Sequence, residues 1–179
     1  MRARTGAPPT AGDGANPSPV ARFDDFYHAH FRSITMQLCA YVGDLGQAQD
    51  LTQEAFCRAY ARWNKLVRYD DPVGWVRQVA WNLARSRWRR LRTAQGFLSR
   101  QRTTHVDGPT PDRVAIDAAL ALLPANQRRA VILHYLADLP VAQIAAQEGV
   151  AEGTVKSWLH RGRAALAALL TDDEGASNV

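Results

Sequence analysis

No run of apolar residues in this chain approaches the roughly 18 to 20 needed to cross a bilayer, and the opening stretch MRARTGAPPTAGDGANPSPV has no apolar segment of the kind an export signal carries. A cytoplasmic protein without membrane insertion is expected. Cysteine is almost missing: Cys39 and Cys57 are the only two, with no CxxC spacing, which argues against a zinc site or a disulfide framework. Both read as small buried or half-buried thiols. The histidines His28, His30, His105, His134 and His160 form no HExxH or other recognised metal spacing, and no glycine-rich phosphate loop is present. Asp70 and Asp71 sit side by side, but at a helix start where capping accounts for them. No catalytic residue, metal or cofactor is therefore expected.

Strand alternation is absent as well, so the pattern is helical throughout. Between Pro72 and Val106 there is not one acid, while Arg77, Arg85, Arg87, Arg89, Arg90, Arg92, Arg100 and Arg102 all fall in that stretch. Such a block suits a polyanionic partner. The hydrophobic fraction of 46% supplies enough apolar material for a real core.

Residues 1–20, rich in Pro, Gly, Ala and Ser, cannot bury enough surface to offset chain entropy and read as a disordered tail. Residues 21–94 form a first helical domain of three or four helices, interrupted at Gly43 to Gly46 and around Tyr69 to Pro72. Residues 95–112 collect Gly, Thr, Asp and Pro and read as a flexible linker. Residues 113–171 form a second helical domain, with helices over Asp112 to Leu123, Ala125 to Ala137, Val141 to Gln147 and Thr154 to Leu170, and residues 172–179 a short tail. The expected architecture is all-α, two small domains joined by a linker.

In the last of these helices Val155, Leu159, Gly162, Leu166 and Leu169 make one apolar stripe, and Lys156, Ser157, His160, Arg161 and Arg163 lie off it. The helix VAQIAAQE and the short GVAEG turn precede it, as in a helix-turn-helix, with Ala142, Ala145 and Ala146 allowing close helix approach. The basic side can meet guanine edges and phosphates in a major groove, or be an ordinary solvated face. Earlier, Trp81, Arg85, Trp88 and Arg92 recur on one helical face, where rings could stack on unpaired bases while guanidinium groups track phosphates; Trp88 could equally belong to a core stripe. A helix over Gln47 to Trp63 turns Ala48, Leu51, Ala55, Phe56, Ala59 and Tyr60 inward and Asp50, Gln53, Glu54 and Arg58 outward, an acidic-led face that suits a protein surface or simply the helix dipole.

Three of these segments resemble one family, the extracytoplasmic-function (group IV) sigma factors of the sigma-70 family. DLTQEAFCRAYARW resembles the region 2 helix that docks on polymerase, and GWVRQVAWNLARSRWRR the adjoining helix that melts and reads the −10 element. LPANQRRAVILHYLADLPVAQIAAQEGVAEGTVKSWLHRGRAAL is similar to region 4 and its −35-reading helix-turn-helix. The resemblance implies that Asp50, Gln53, Glu54 and Arg58 face core RNA polymerase, that Asn82 sits beside a flipped −10 base, and that Arg85, Trp88, Arg89 and Arg90 hold melted or flanking DNA. It implicates Thr154, Lys156, Ser157, His160 and Arg161 in −35 recognition and leaves Val155 and Trp158 to packing. Two departures stand out: Gln143 replaces the acid usual at its position, and the short loop Asn64 to Asp71 leaves the identity of the captured base open.

The implied partners are core RNA polymerase and promoter DNA, both duplex and melted. Many relatives are held by an anti-sigma factor and this chain has no sensor domain of its own, so such a partner is among the expectations. The alternative is a stand-alone helix-turn-helix regulator, which would explain Gly149 to Arg163 but not the Trp/Arg helix. An enzyme fits least, because no residue constellation for catalysis is present.

Overall fold

The structure, a computed structural model, describes the backbone of residues 19–94 and 111–176, and the side chains of residues 20, 22–87 and 115–171. The described residues form eight helices and no strand: α1 (Pro19–Val42), α2 (Leu45–Tyr60), α3 (Trp63–Leu66), α4 (Pro72–Ala94), α5 (Pro111–Leu122), α6 (Ala125–Tyr135), α7 (Val141–Glu148) and α8 (Glu152–Ala176). The expected tail at 1–20 and linker at 95–112 fall almost wholly outside the described residues. At the other end, α8 continues past Leu170 to Ala176.

Local chemistry explains the breaks. Asp44 caps α2, its carboxylate accepting the Gln47 N–H at 2.6 Å, and Asp71 does the same for α4, accepting the Gly74 N–H at 2.7 Å. Both satisfy donors that a helix start would otherwise leave unpaired. Gly149 ends α7 in the left-handed conformation, φ 68°, which a residue with a Cβ adopts only at a cost.

The first module, α1 to α4, packs α2 on α1 through Ala48, Leu51, Ala55, Phe56 and Ala59, as the periodicity predicts. Tyr60 is the exception: its place in the pattern puts it inside, yet it is 54% exposed, because α2 ends there and the chain turns away into α3. Cys57 likewise lies exposed on α2, and only Cys39 is half-buried. At the far end of α1, Phe23 sits edge-on to Trp63 with centroids 5.2 Å apart.

In the second module Val155 and Leu159 are buried and Gly162 is the crossing point of α8 and α6. A Cβ at Gly162 would stand 2.9 Å from Val131 Cγ2. Of the three alanines expected to permit close approach, Ala145 is buried and Ala142 and Ala146 face outward. We expect Gly162→Val to destabilise the second module by about 1–3 kcal/mol through overpacking, read as a lowered denaturant midpoint with the slope unchanged.

The modules pack on each other, α1 lying against α5 and α6. Arg128 reaches from α6 to the Tyr41 carbonyl of α1 at 2.9 Å, while its other amine closes the end of α5 through the carbonyls of Ala121 and Leu123 at 2.6 and 3.1 Å. Arg129, 4% exposed, forms a 2.7 Å ion pair with Glu148. Burial pushes the Glu148 carboxyl upward and the Arg129 guanidinium downward from their ordinary pKa values, and each charge pulls the other partly back.

Candidate nucleic-acid and protein interfaces

On α2, the spacing of Asp50, Glu54 and Arg58 by four residues, with Gln53 between, sets all four side chains on one exposed strip. Arg58 donates to Glu54 at 2.9 Å, and Gln53 accepts the Tyr27 hydroxyl at 3.0 Å. The pair is about half exposed on both sides, so it adds little stability and leaves the strip free to exchange partners.

On α4 the structure divides what the sequence placed together. Trp81, expected to offer its ring to unpaired bases, is fully buried, edge-on to Tyr41 at 4.9 Å and covered by Arg129, whose Cζ lies 5.0 Å from the ring centroid. An indole on an amphipathic helix follows the apolar stripe when a second element is there to cover it. Asn82 and Arg85 are exposed. The side chains of Trp88, Arg89 and Arg90 lie outside the described residues.

A hollow that no sequence motif announces lies at the start of α4. Its volume is about 700 Å³, and Tyr60, Arg62, Trp63, Lys65, Tyr69 and Trp75 are among its lining residues. Tyr69 is 42% exposed, on the loop leading to α4. Asn82 stands seven residues beyond Trp75, two helical turns or about 10 Å along nearly the same face. Its lining combines flat rings with the basic side chains of Arg62 and Lys65. The sequence carries the signal as aromatics at 60, 63, 69 and 75, but nothing local shows that they converge.

On α8, Lys156, Ser157, His160 and Arg161 are exposed and Thr154 is half-buried. Trp158 packs against the core, as expected. Arg161 donates to Ser157 Oγ at 2.9 Å, so its guanidinium is pre-positioned. Lys156 stands 4.0 Å from Glu152. Gly149 sets the angle at which α7 hands over to α8, leaving this face open. Among the described residues no group of three or more His, Cys, Asp or Glu side chains could hold a metal ion, and no helix is long and apolar enough to cross a membrane.

An all-helical pair of modules, one carrying an open helix-turn-helix and the other an aromatic and basic hollow, defines a two-module nucleic-acid-binding protein. Residues 26–94 match the sigma-70 region 2 family model, and residues 113–166 match sigma-70 region 4. The chain is 32% identical to the ECF RNA polymerase sigma factor SigL of Mycobacterium tuberculosis over 82% of its own length and 88% of the relative's. It is 29% identical to the RNA polymerase sigma-E factor of Streptomyces avermitilis, over 82% and 84% respectively. In fold it matches the sigma factor RpoE of Bartonella quintana, solved with the anti-sigma factor NepR, at TM-score 0.70 and 23% identity, covering 84% of this chain and 97% of that one. CnrH, solved with the cytosolic domain of CnrY, matches at TM-score 0.63 and 19% identity, over 84% and 88%. The chain belongs to the extracytoplasmic-function sigma factors, which direct core RNA polymerase to promoters. A stand-alone regulator would need only the second module and leaves the match over 26–94 without a reason.

Proposed function

We propose that this sigma factor divides promoter opening among three surfaces: the α2 strip holds core polymerase, the α8 face reads the −35 duplex, and α4 with the hollow at its start captures the melted −10 strand. The observation that carries this reading is the continuity of the hollow, through half-buried Trp75, with the side of α4 that exposes Gln78, Asn82 and Arg85. A base that swings into the hollow leaves its strand running along that side. Binding energy gained only after the bases unpair shifts the equilibrium from closed to open duplex.

The chain acts in the cytoplasm as a non-catalytic subunit, with the bond-making chemistry belonging to polymerase. Residues 21–94 serve as region 2 and 113–171 as region 4, joined by the linker at 95–112. An anti-sigma factor, of the kind bound to the Bartonella quintana protein, is a further partner under this reading. The deciding experiment reconstitutes the chain with core polymerase and maps transcript 5′ ends. Starts at a defined set of promoters carrying shared −35 and −10 elements are expected, and starts no different from core enzyme alone would sink the proposal.

Reversing Asp50 and Glu54 to lysine is expected to weaken association with core polymerase by about tenfold or more, since the charge this strip presents to its partner is then inverted. Circular dichroism should be unchanged, because both residues are exposed. Undiminished co-purification of the folded double variant with polymerase would remove α2 from the assignment.

A further inference from the structure

Between residues 152 and 163 the sequence EGTVKSWLHRGR holds a single acid, Glu152, in the first turn of α8. A carboxylate turned toward a polyanion weakens binding to every sequence alike unless it meets a hydrogen-bond donor on a base. Spacing by four sets Glu152, Lys156 and His160 in one row along α8, beside the row of Gly153, Ser157 and Arg161, and all six residues are exposed. Glu152 Oε2 stands 4.0 Å from Lys156 Nζ, with both side chains more than half exposed. The pair therefore adds little stability, and both groups keep hydrogen-bonding capacity to spare.

Gly153 is a separate observation pointing to the same place. Its φ lies outside the left-handed region and a Cβ there would meet nothing within 4 Å, so neither the backbone nor the packing calls for glycine. Glycine weakens a helix relative to alanine. What the bare backbone provides is close approach, so that an external body can come against the first turn of α8 beside Glu152.

We infer that Glu152 and Lys156 together read one C·G base pair of the −35 element, the carboxylate accepting from the cytosine N4 amino group and the ammonium donating to O6 and N7 of the paired guanine. The inference rests on the proposed reading of the −35 duplex by α8. In the major groove cytosine presents a donor and no acceptor, guanine and thymine present acceptors that repel a carboxylate, and adenine sets its N7 acceptor next to its N6 donor. Cytosine N4 is itself paired to guanine O6, so a donor and an acceptor lie side by side on this edge. An acceptor and a donor 4.0 Å apart in one row of the helix are its complement. Docking exchanges the long contact between Glu152 and Lys156 for two shorter charge-assisted hydrogen bonds, and the carboxylate rejects the edges that offer it no donor.

The experiment reconstitutes the full chain with core polymerase and compares parent and variants by competition among promoter duplexes that carry each of the four base pairs at every −35 position. The parent is expected to prefer C·G by about tenfold at one position. Glu152→Gln keeps the size and exposure of the side chain but supplies an amide, which pairs with adenine N6 and N7, so the preference at that position is expected to move to A·T. Lys156→Ala should erase the preference at the same position. Glu152→Ala/Lys156→Ala should lose no more there than either single variant, because the two residues act as a unit. Gly153→Leu, for which the protein itself has room, is expected to weaken binding to all duplexes several-fold, with circular dichroism unchanged. Uniform tightening of Glu152→Gln on every duplex would reduce the acid to charge repulsion and overturn the inference. So would effects of residues 152 and 156 at different positions, additive losses in the double variant, or Gly153→Leu binding as the parent does. A parent that discriminates among −35 duplexes while Glu152→Gln shares its preferences overturns this inference alone. A parent indifferent to every −35 base pair overturns the functional reading of α8, and this inference with it.

Discussion

Replacing Arg161 by alanine is expected to lower upstream promoter binding by about tenfold or more, and Lys156→Ala by a similar or smaller factor. Arg161 is exposed on α8 and held by Ser157 Oγ at 2.9 Å, so little rotamer freedom is lost when it meets a base or phosphate. A base contact is typically worth about 1–3 kcal/mol and its loss relaxes specificity at one position; a phosphate contact lowers the salt slope by about one and weakens all sequences alike. Filter or anisotropy binding with duplexes varied across the −35 element, repeated over a salt series, separates the two. Ser157→Ala should reproduce part of the Arg161 defect, because it frees the guanidinium that the hydroxyl now positions. If both charge variants transcribe every promoter as the parent does, this side of α8 is only a solvated face.

Tyr69→Ala and Asn82→Ala are expected to reduce open complexes by about tenfold or more on a normal promoter while leaving polymerase binding unchanged. Stacking of a base on an aromatic ring is worth about 1–3 kcal/mol, and about 1.4 kcal/mol corresponds to tenfold. Tyr69 is the choice among the rings of the hollow because Trp63 is buried and its loss would unfold the module, whereas Tyr69 is 42% exposed on the loop. Asn82 is exposed, so its removal also leaves the core untouched. Transcription from a template with a pre-melted bubble across the −10 element should partly relieve both defects, because the cost of unpairing no longer has to be met by capture. Permanganate reactivity of exposed thymines reports the opening itself. Equal activity of parent and variants on the normal template would refute the capture role and leave the hollow without a part in melting.

The two reading surfaces were unequally legible in the sequence. The α8 face follows from the stripe Val155, Leu159 and Gly162 with Lys156, Ser157, His160 and Arg161 beside it, since a helix of known period places its charged side once the apolar side is identified. The α4 face does not follow in the same way. Trp81, Arg85, Trp88 and Arg92 share a side of the helix, and that pattern serves stacking on bases and packing under a neighbouring helix equally well. Burial of Trp81 beneath Arg129 decides for packing at that position, and Asn82 and Arg85 carry the open side. The hollow escaped the sequence for another reason: its rings at 60, 63, 69 and 75 come from a helix end, a one-turn helix, a loop and a second helix, and no single period relates them.

By itself the sequence determined that the chain is helical and where its main breaks fall, because capping by Asp44 and Asp71 and the left-handed turn at Gly149 act within three or four residues of the places they control. It also determined the exposed strip of Asp50, Gln53, Glu54 and Arg58 and the family to which the chain belongs. Tertiary structure alone decided that Arg129 would be a buried ion-pair partner of Glu148 rather than part of a basic surface, and that Gln143 would meet Asp71, 72 residues away. An arginine can be buried only where a carboxylate or a ring arrives to meet it, and that arrival depends on how two modules dock. Periodicity records which side of a helix avoids water; what covers that side is decided by contacts between residues far apart in the chain.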